Sequence, residues 1–155
     1  MKIDITKREE INHLLKNLKE DTQPKWGLMK PQNMIEHLLI TLQYSNGKKQ
    51  ISQRTTEEEG LKAKQAVIYS DVALSKGMKS PLLGEGPAPF EFATLDEAKN
   101  NLNKELDAFE LYYEDNPNAT CIQPRLGPLN KNEWIILHSK HFTHHFQQFG
   151  LIEES

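Results

Sequence analysis

The stretch WIILHSKHFTHHFQQFG, residues 134–150, decides the fold because it combines a helical apolar repeat with four histidines. Steps of four, three, four and four residues from its first residue lead to His138, His141, His145 and Phe149. This spacing keeps the side chains on one face of an α-helix, the face that a helical protein turns toward its core. Three histidines are therefore predicted where leucine would be expected, while His144 lies further round the helix and is predicted to be at the rim or exposed.

A second helix is predicted over PQNMIEHLLITLQYSNG, residues 31–47, because Pro31 suits a first helical position and Asn46-Gly47 suits a helix end. The face predicted to point inward carries Met34, His37, Leu38, Thr41 and Tyr44. Burying one polar group without a hydrogen bond costs about 1 to 7 kcal/mol, whereas a whole domain is stable by about 5 to 15 kcal/mol. The four inward histidines of the two helices are therefore expected to have partners.

Helix starts are marked by capping boxes, in which a Thr or Asn and a Glu three residues later satisfy backbone N–H groups that the helix leaves free. The sequence contains four such pairs: Thr6 with Glu9, Thr56 with Glu59, Thr94 with Glu97, and Asn130 with Glu133. Together with breaker residues they predict a first helix ending at Gln23-Pro24, a short helix through about Leu74, a long helix ending at Asn116-Pro117, and a last helix running to Gly150.

The segment SKGMKSPLLGEGPAPFEF, residues 75–92, is rich in Pro and Gly and also carries apolar residues, so it predicts an ordered crossover loop. Antiparallel helices need only a few connecting residues, and one long connection therefore predicts a crossover. The expected fold is all-α, a four-helix bundle with a long crossover connection in a single domain, 1–155. Residues 81–92 are a candidate lining or cover for a pocket.

Composition narrows the function classes. The chain has 155 residues, 37% of them hydrophobic, and a formal net charge of -3 with both signs interspersed, so it can bury a core but offers no basic stripe to nucleic acid. No apolar run approaches the roughly 18 residues of a membrane span. The single cysteine, Cys121, cannot form an internal disulfide, and MKIDITKREE at the start does not have the pattern of a signal peptide. A cytoplasmic protein without nucleic-acid or membrane partners is expected.

Metal coordination would give the inward histidines partners. His141 and His145 are four residues apart, about one helical turn, and His37 from a facing helix would complete a set of three nitrogen ligands. Three protein ligands leave one coordination position open, as in catalytic zinc sites, where the ion polarises a bound water or another nucleophile. The residues alone leave two other interpretations open, a hydrogen-bonded polar core and a solvated helix face.

Two motifs resemble the DinB-like superfamily, specifically a branch of unknown function: WGLMKPQNMIEHL, residues 26–38, and LGPLNKNEWIILHSKHFTHHFQQFGL, residues 126–151. The resemblance implies a four-helix bundle with a long crossover that holds a divalent metal, commonly nickel or zinc. The matching ligands are His37, His141 and His145. Gln148 stands where a glutamine is common, whereas Phe146 stands where many members have an arginine, so no role of that arginine is expected here.

The resemblance also suggests a chemistry, because characterised relatives include thiol-dependent transferases and isomerases. A metal ion ionises a bound low-molecular-weight thiol, and it lowers the pKa of a bound water to about 7, so transfer and hydrolysis on a small-molecule substrate are both natural at such a site. The alternatives are a non-catalytic metal- or ligand-binding bundle and a metal-free polar bundle. Related bundles often pair through helix faces, which is compatible with a homodimer.

Several neighbouring side chains are candidates for supporting the site. Asn33 and Glu36 are candidates for orienting imidazoles, with Glu36 expected to face solvent. His138, about one turn before His141, is a candidate outer partner or alternative ligand. Tyr44 is either a donor to a substrate or a core tyrosine.

Overall fold

A computed structural model describes residues 1–76 and 88–154 of the chain. The fold is mostly helical, as predicted, with five helices and one small sheet in the described residues: α1 (Arg8–Leu15), α2 (Pro31–Gln43), α3 (Glu57–Val67), α4 (Leu95–Asp115), β1 (Cys121–Gln123), β2 (Gly127–Leu129) and α5 (Lys131–Gln148). Most of the predicted crossover, residues 77–87, lies outside the described residues. Within the described ranges, no helix is both long and apolar enough to cross a membrane.

Helix α2 is the centre of the core and packs most extensively against α4. It is buried almost all round, from Pro31 to Leu39, as expected for a helix with neighbours on several sides. Helix α5 runs antiparallel to it, because Ser45 meets His138 at one end and His37 meets His141 further along. This antiparallel pairing brings the histidines of the two helices to the same level.

Two of the predicted capping boxes are confirmed. At the start of α3, Thr56 Oγ1 accepts from Glu59 N at 3.1 Å and Glu59 Oε1 accepts from Thr56 N at 2.9 Å. At the start of α5, Asn130 Oδ1 accepts from Glu133 N at 2.9 Å, and Glu133 Oε1 accepts from Asn130 N at 3.0 Å. These reciprocal bonds define where α3 and α5 begin, and hence the register of the histidines on α5.

The other two boxes differ from the prediction. Thr94 caps α4 by accepting from Glu97 N, but the Glu97 carboxylate turns to Ala93 N. The prediction of a box at Thr6 is wrong, because Asp4 Oδ1 accepts from both the amide and the hydroxyl of Thr6. The hydroxyl is thereby directed back toward Asp4, and α1 begins two residues later at Arg8 without a side-chain cap.

Helices α1 and α3 end earlier than predicted, at Leu15 and not near Gln23, and at Val67 and not near Leu74. Lysines from other helices bind the carbonyl groups at both ends. Lys99 Nζ donates to Leu15 O and Leu18 O at 2.8 Å each. Lys140 Nζ donates to the carbonyl oxygens of Val67, Ser70 and Val72. A cation bound to the last carbonyls also interacts favourably with the helix dipole, so contacts from elsewhere in the fold stabilise these two ends.

The antiparallel hairpin β1–β2 was not predicted. Ile122 pairs with Pro128, and Gly127 adopts a positive φ of 85° where the chain re-enters the second strand. The segment before α3 lies against the hairpin turn, because Arg54 N donates to Pro124 O at 2.7 Å and Thr55 Oγ1 donates to Arg125 O at 2.8 Å. The hairpin thus holds the chain leading into α3 beside the chain leading into α5.

Candidate metal centre

Three ring nitrogens converge between α2 and α5. His37 Nε2 lies 2.7 Å from His141 Nε2, and His145 Nε2 lies 3.1 Å from the same atom. His37 and His145 are each 7% exposed, and His141 is half-buried. The rings of His37 and His141 are nearly perpendicular, at 82°, so their edges and not their faces meet. The structure therefore brings together the three histidines that the sequence nominated; that they bind a metal stays a prediction.

Burial keeps these three rings uncharged at neutral pH. It lowers the pKa of His37 to about 4, with a smaller effect from His144. It also lowers the pKa of His145 to about 3, followed by repulsion from His37. For His141, burial first and then the neighbouring histidines hold the pKa well below its ordinary value. Neutral imidazoles are the form that coordinates a metal ion, so the electrostatics match the donor role.

Gln148 fixes where the proton of His145 lies. Its Oε1 is 2.7 Å from His145 Nδ1, and its Nε2 donates to Trp26 O at 3.0 Å. A carbonyl oxygen only accepts, so the amide NH₂ faces Trp26 and the amide oxygen faces the ring. His145 Nδ1 therefore carries the hydrogen. In the neutral ring, the lone pair of Nε2 then points into the cluster.

The arrangement of protons leaves the cluster unsatisfied by itself. If His145 Nε2 presents a lone pair, a hydrogen on His141 Nε2 can be donated either to His145 Nε2 or to His37 Nε2. The nitrogen that does not receive it is left without a donor. Without that hydrogen, two lone pairs face each other across 3.1 Å. In addition, His37 Nδ1 is buried and has no hydrogen-bond partner in the part of the chain that is described. A cation between the three nitrogens would satisfy all three lone pairs at once.

The donor set fits a zinc or nickel ion. Tetrahedral zinc with Zn–N bonds of about 2.0–2.1 Å places its nitrogen ligands about 3.3 Å apart. The two short distances here, 2.7 and 3.1 Å, are below that value, and the three nitrogens lie within 4.8 Å of one another, so a small outward movement of the rings would admit the ion. Imidazole suits zinc, copper, iron and nickel, whereas calcium and magnesium prefer oxygen. Among the described residues, no carboxylate or thiol joins the three histidines in a group that could hold an ion. A fourth coordination position is therefore left open by these residues.

His138 lies outside this group and does not serve as an alternative ligand. Its Nε2 is 2.7 Å from Ser45 Oγ, and Ser45 Oγ donates to Leu42 O at 2.9 Å. The ring of His138 is 1% exposed and stacks on Trp134, with centroids 5.0 Å apart. Because the hydroxyl hydrogen is already used, His138 Nε2 is the donor, and this histidine is a satisfied core residue. Ser45 is the partner that sequence reasoning did not identify.

The prediction that Glu36 faces solvent is wrong. Glu36 is 5% exposed, and its carboxylate accepts from Glu91 N at 2.8 Å and from Phe92 N at 3.1 Å. Asn33 similarly turns away from the histidines, because its Nδ2 donates to Ala88 O at 2.7 Å. Neither side chain orients an imidazole. Instead, both hold residues 88–92, the described end of the predicted crossover, against the turn of α2 that carries His37.

The remaining candidates lie at the rim or in the core. His144 is half-buried, as predicted, and packs its ring edge against Trp26 at a centroid distance of 5.6 Å. Tyr44 is half-buried at the end of α2. Trp134 is buried, and its Nε1 donates to Cys121 O at 3.1 Å, so it is a packing residue of the core.

Sequence reasoning missed the contribution of the Trp26-Gly27 peptide to the site. The local signal in the sequence was the glycine itself, because Gly27 adopts a positive φ of 80° that other residues rarely adopt.

Comparisons of the chain with protein-family models, with curated proteins and with solved structures find no match.

Proposed function

We propose that this chain is a DinB-like metal-dependent enzyme, a thiol transferase or a hydrolase, that acts on a small molecule at an open three-histidine site. In this proposal α1, α2, α4 and α5 are the helices of a four-helix bundle. Helix α3 belongs to the long connection between α2 and α4. The ligands are His37, His141 and His145, and the ion is zinc or nickel.

The observation that carries the proposal is the convergence of three neutral imidazole nitrogens whose protons do not satisfy one another. Two rings come from α5 and one from α2, so the site depends on the packing of the two helices. A divalent ion bound there would supply a bound thiolate, or a bound water of lowered pKa, as the nucleophile. The chain's own residues hold the three donors neutral and shield two of them from water.

The same proposal places the protein in the cytoplasm, either alone or as a homodimer, with neither nucleic acid nor a membrane as partner. The net charge of -3 and the single cysteine are consistent with this location. A low-molecular-weight thiol would be the cosubstrate in the transferase case.

A second candidate function is a non-catalytic metal- or ligand-binding domain. The observation that favours it is the engagement of the polar groups nearest to His37. Glu36 and Asn33 both bind backbone groups of residues 88–92. The Glu36 carboxylate is therefore engaged away from the cluster and does not act there as a general base, and binding without turnover is the simpler use of the site.

The first test is elemental analysis of protein purified without a histidine tag or added metal. The His37→Ala and His141→Ala variants are analysed beside it, with His13→Ala, an exposed histidine, as the matched control. The expected result is about one equivalent of zinc or nickel per chain in the parent and the control, and loss of that metal in both cluster variants. Helical circular dichroism confirms that the variants fold.

A parent protein that neither contains metal nor melts at a higher temperature with added zinc or nickel would overturn the proposal. If metal is present, the two functions are separated by assaying the loaded protein with low-molecular-weight thiols plus an electrophile, and with activated esters. Turnover that disappears in His37→Ala supports the enzyme. Metal binding without turnover supports the binding domain.

A further inference from the structure

We infer that the Trp26-Gly27 peptide controls metal affinity at a distance, because Gln148 transmits the position of the Trp26 carbonyl to the metal ligand His145. The inference rests on the proposed function and assigns Gln148 as a positioning residue. It also assigns a role to Gly27, which touches none of the three histidines.

The first step is the polarity of the Gln148 amide. In the opposite orientation its NH₂ group would face His145 Nδ1, that nitrogen would become the acceptor, and the ring hydrogen would move to Nε2, where it would block coordination. The carbonyl of Trp26, at 3.0 Å from Gln148 Nε2, accepts only from the NH₂ group. The Trp26 carbonyl therefore selects the tautomer of His145 that presents a lone pair to the cluster.

The second step is the close approach of the loop to Gln148. A Cβ atom on residue 27 would lie 2.9 Å from Gln148 Nε2, closer than such contacts normally come. Gly27 also has a φ of 80°, which side chains other than glycine rarely adopt. The backbone of the loop is tied to the same residue, because Lys25 N donates to Gln148 O at 2.7 Å. Glycine at position 27 is thus required for the loop to reach Gln148.

The third step is that His37 lacks an equivalent support. His37 Nδ1 is buried without a partner in the described part of the chain, whereas His145 Nδ1 has a bond of 2.7 Å. Outer partners of metal-bound histidines fix the tautomer and the ring orientation, and losing one typically lowers metal affinity about 10- to 100-fold. Changes in the Trp26-Gly27 peptide should therefore lower metal affinity, although this peptide touches none of the three histidines.

The test compares zinc affinity, measured by competition with a chelator, across a set of variants. Gln148→Leu removes both bonds and is expected to weaken zinc binding about 10- to 100-fold. Gln148→Glu keeps an acceptor for His145 Nδ1 but loses the donor to the Trp26 carbonyl, so it is expected to weaken zinc binding, but less than Gln148→Leu does. Gly27→Ala is expected to weaken binding about tenfold by displacing the amide.

A control variant separates this relay from general damage. Gln147→Leu changes the residue next to Gln148 on α5 and is expected to bind zinc as the parent does. The ¹⁵N shifts of the His145 ring in metal-free protein give a readout independent of the metal. The parent is expected to show hydrogen on Nδ1, and Gln148→Leu a mixture of tautomers.

Each outcome decides the inference. Unchanged zinc affinity in both Gln148→Leu and Gly27→Ala would overturn the relay while leaving a three-histidine site intact. A parent that carries the hydrogen on His145 Nε2 would also overturn it. If the parent binds no metal, the proposed function fails, and the tautomer measurement still decides whether Trp26 and Gln148 set the proton of His145.

Discussion

Metal-free protein should lose much of its stability between pH 7 and pH 5, because the fold holds three buried histidines and the half-buried His141 in the neutral form. The four rings are His37, His138, His141 and His145. Burial is the first cause of the lowered pKa of each, and it lowers that of His138 to about 3. In the unfolded chain the same rings titrate at their ordinary pKa of about 6.5.

The direction of the effect follows from these pKa values. Above pH 6.5 the rings are neutral in both states and their burial has its full stabilising value. As the pH falls below 6.5, the unfolded chain takes up protons that the folded chain does not, and stability is lost until the pH reaches the folded pKa values of about 3 to 4. His37, His138 and His145 each contribute a loss of about 2 kcal/mol from pH 7 to pH 5, or about 6 kcal/mol together, and the lowered pKa of His141 acts in the same direction.

A loss of about 6 kcal/mol or more is comparable to the total stability of an ordinary domain, about 5 to 15 kcal/mol. The assay is urea unfolding, followed by circular dichroism at several pH values in the presence of a chelator. His138→Leu, which replaces a core histidine outside the cluster, should reduce the loss by about 2 kcal/mol because one titrating ring is removed. Replacing the exposed His13 by Leu is the control and should leave the pH dependence as it is in the parent.

A parent whose free energy of unfolding changes by less than about 2 kcal/mol between pH 7 and pH 5 would refute this reasoning, because at least two of the rings of His37, His138 and His145 would then gain protons as readily in the folded state as in the unfolded chain. An unchanged pH dependence in His138→Leu would refute the assignment of His138 as a buried neutral ring.

Two further predictions concern the frame around the site. Glu36→Gln should destabilise the fold by about 2 kcal/mol, because an amide cannot accept all the bonds of the buried carboxylate; hydrogen exchange at the amides of residues 91 and 92 should accelerate, whereas the exposed Glu58→Gln should change neither quantity. Asn130→Ala should lower the free energy of unfolding by about 1 kcal/mol through loss of the cap of α5. Urea unfolding measures this loss beside Asn132→Ala, an exposed change in the same helix. Equal losses of stability in the two variants would contradict the capping role.

The sequence was sufficient to predict the features that depend on local spacing. The steps from Trp134 to His145 placed the histidines on the inward face of α5, and the capping pair at Asn130 located the start of that helix. Both signals act within one or two helical turns, where geometry is fixed by the backbone itself. The proximity of His37 to the other two histidines then followed from packing two inward faces together.

The features that the sequence did not predict depend on partners far along the chain. Glu36 is buried because the backbone N–H groups of residues 91 and 92 donate to its carboxylate. No local sequence pattern links position 36 to position 91. The ends of α1 and α3 are bound by lysines 70 to 84 residues away. At Thr6 the local rule itself was ambiguous, because Asp4 competed for the same hydroxyl.

The contact between His37 and His141 joins positions that are 104 residues apart. An ion held by both rings would close a loop of that length, and closing a loop of about 100 residues removes unfolded-chain entropy equivalent to about 4.7 kcal/mol. With one cysteine, the chain cannot make such a cross-link by an internal disulfide. Metal supply, and not redox state, would then determine how long the folded chain survives proteolysis.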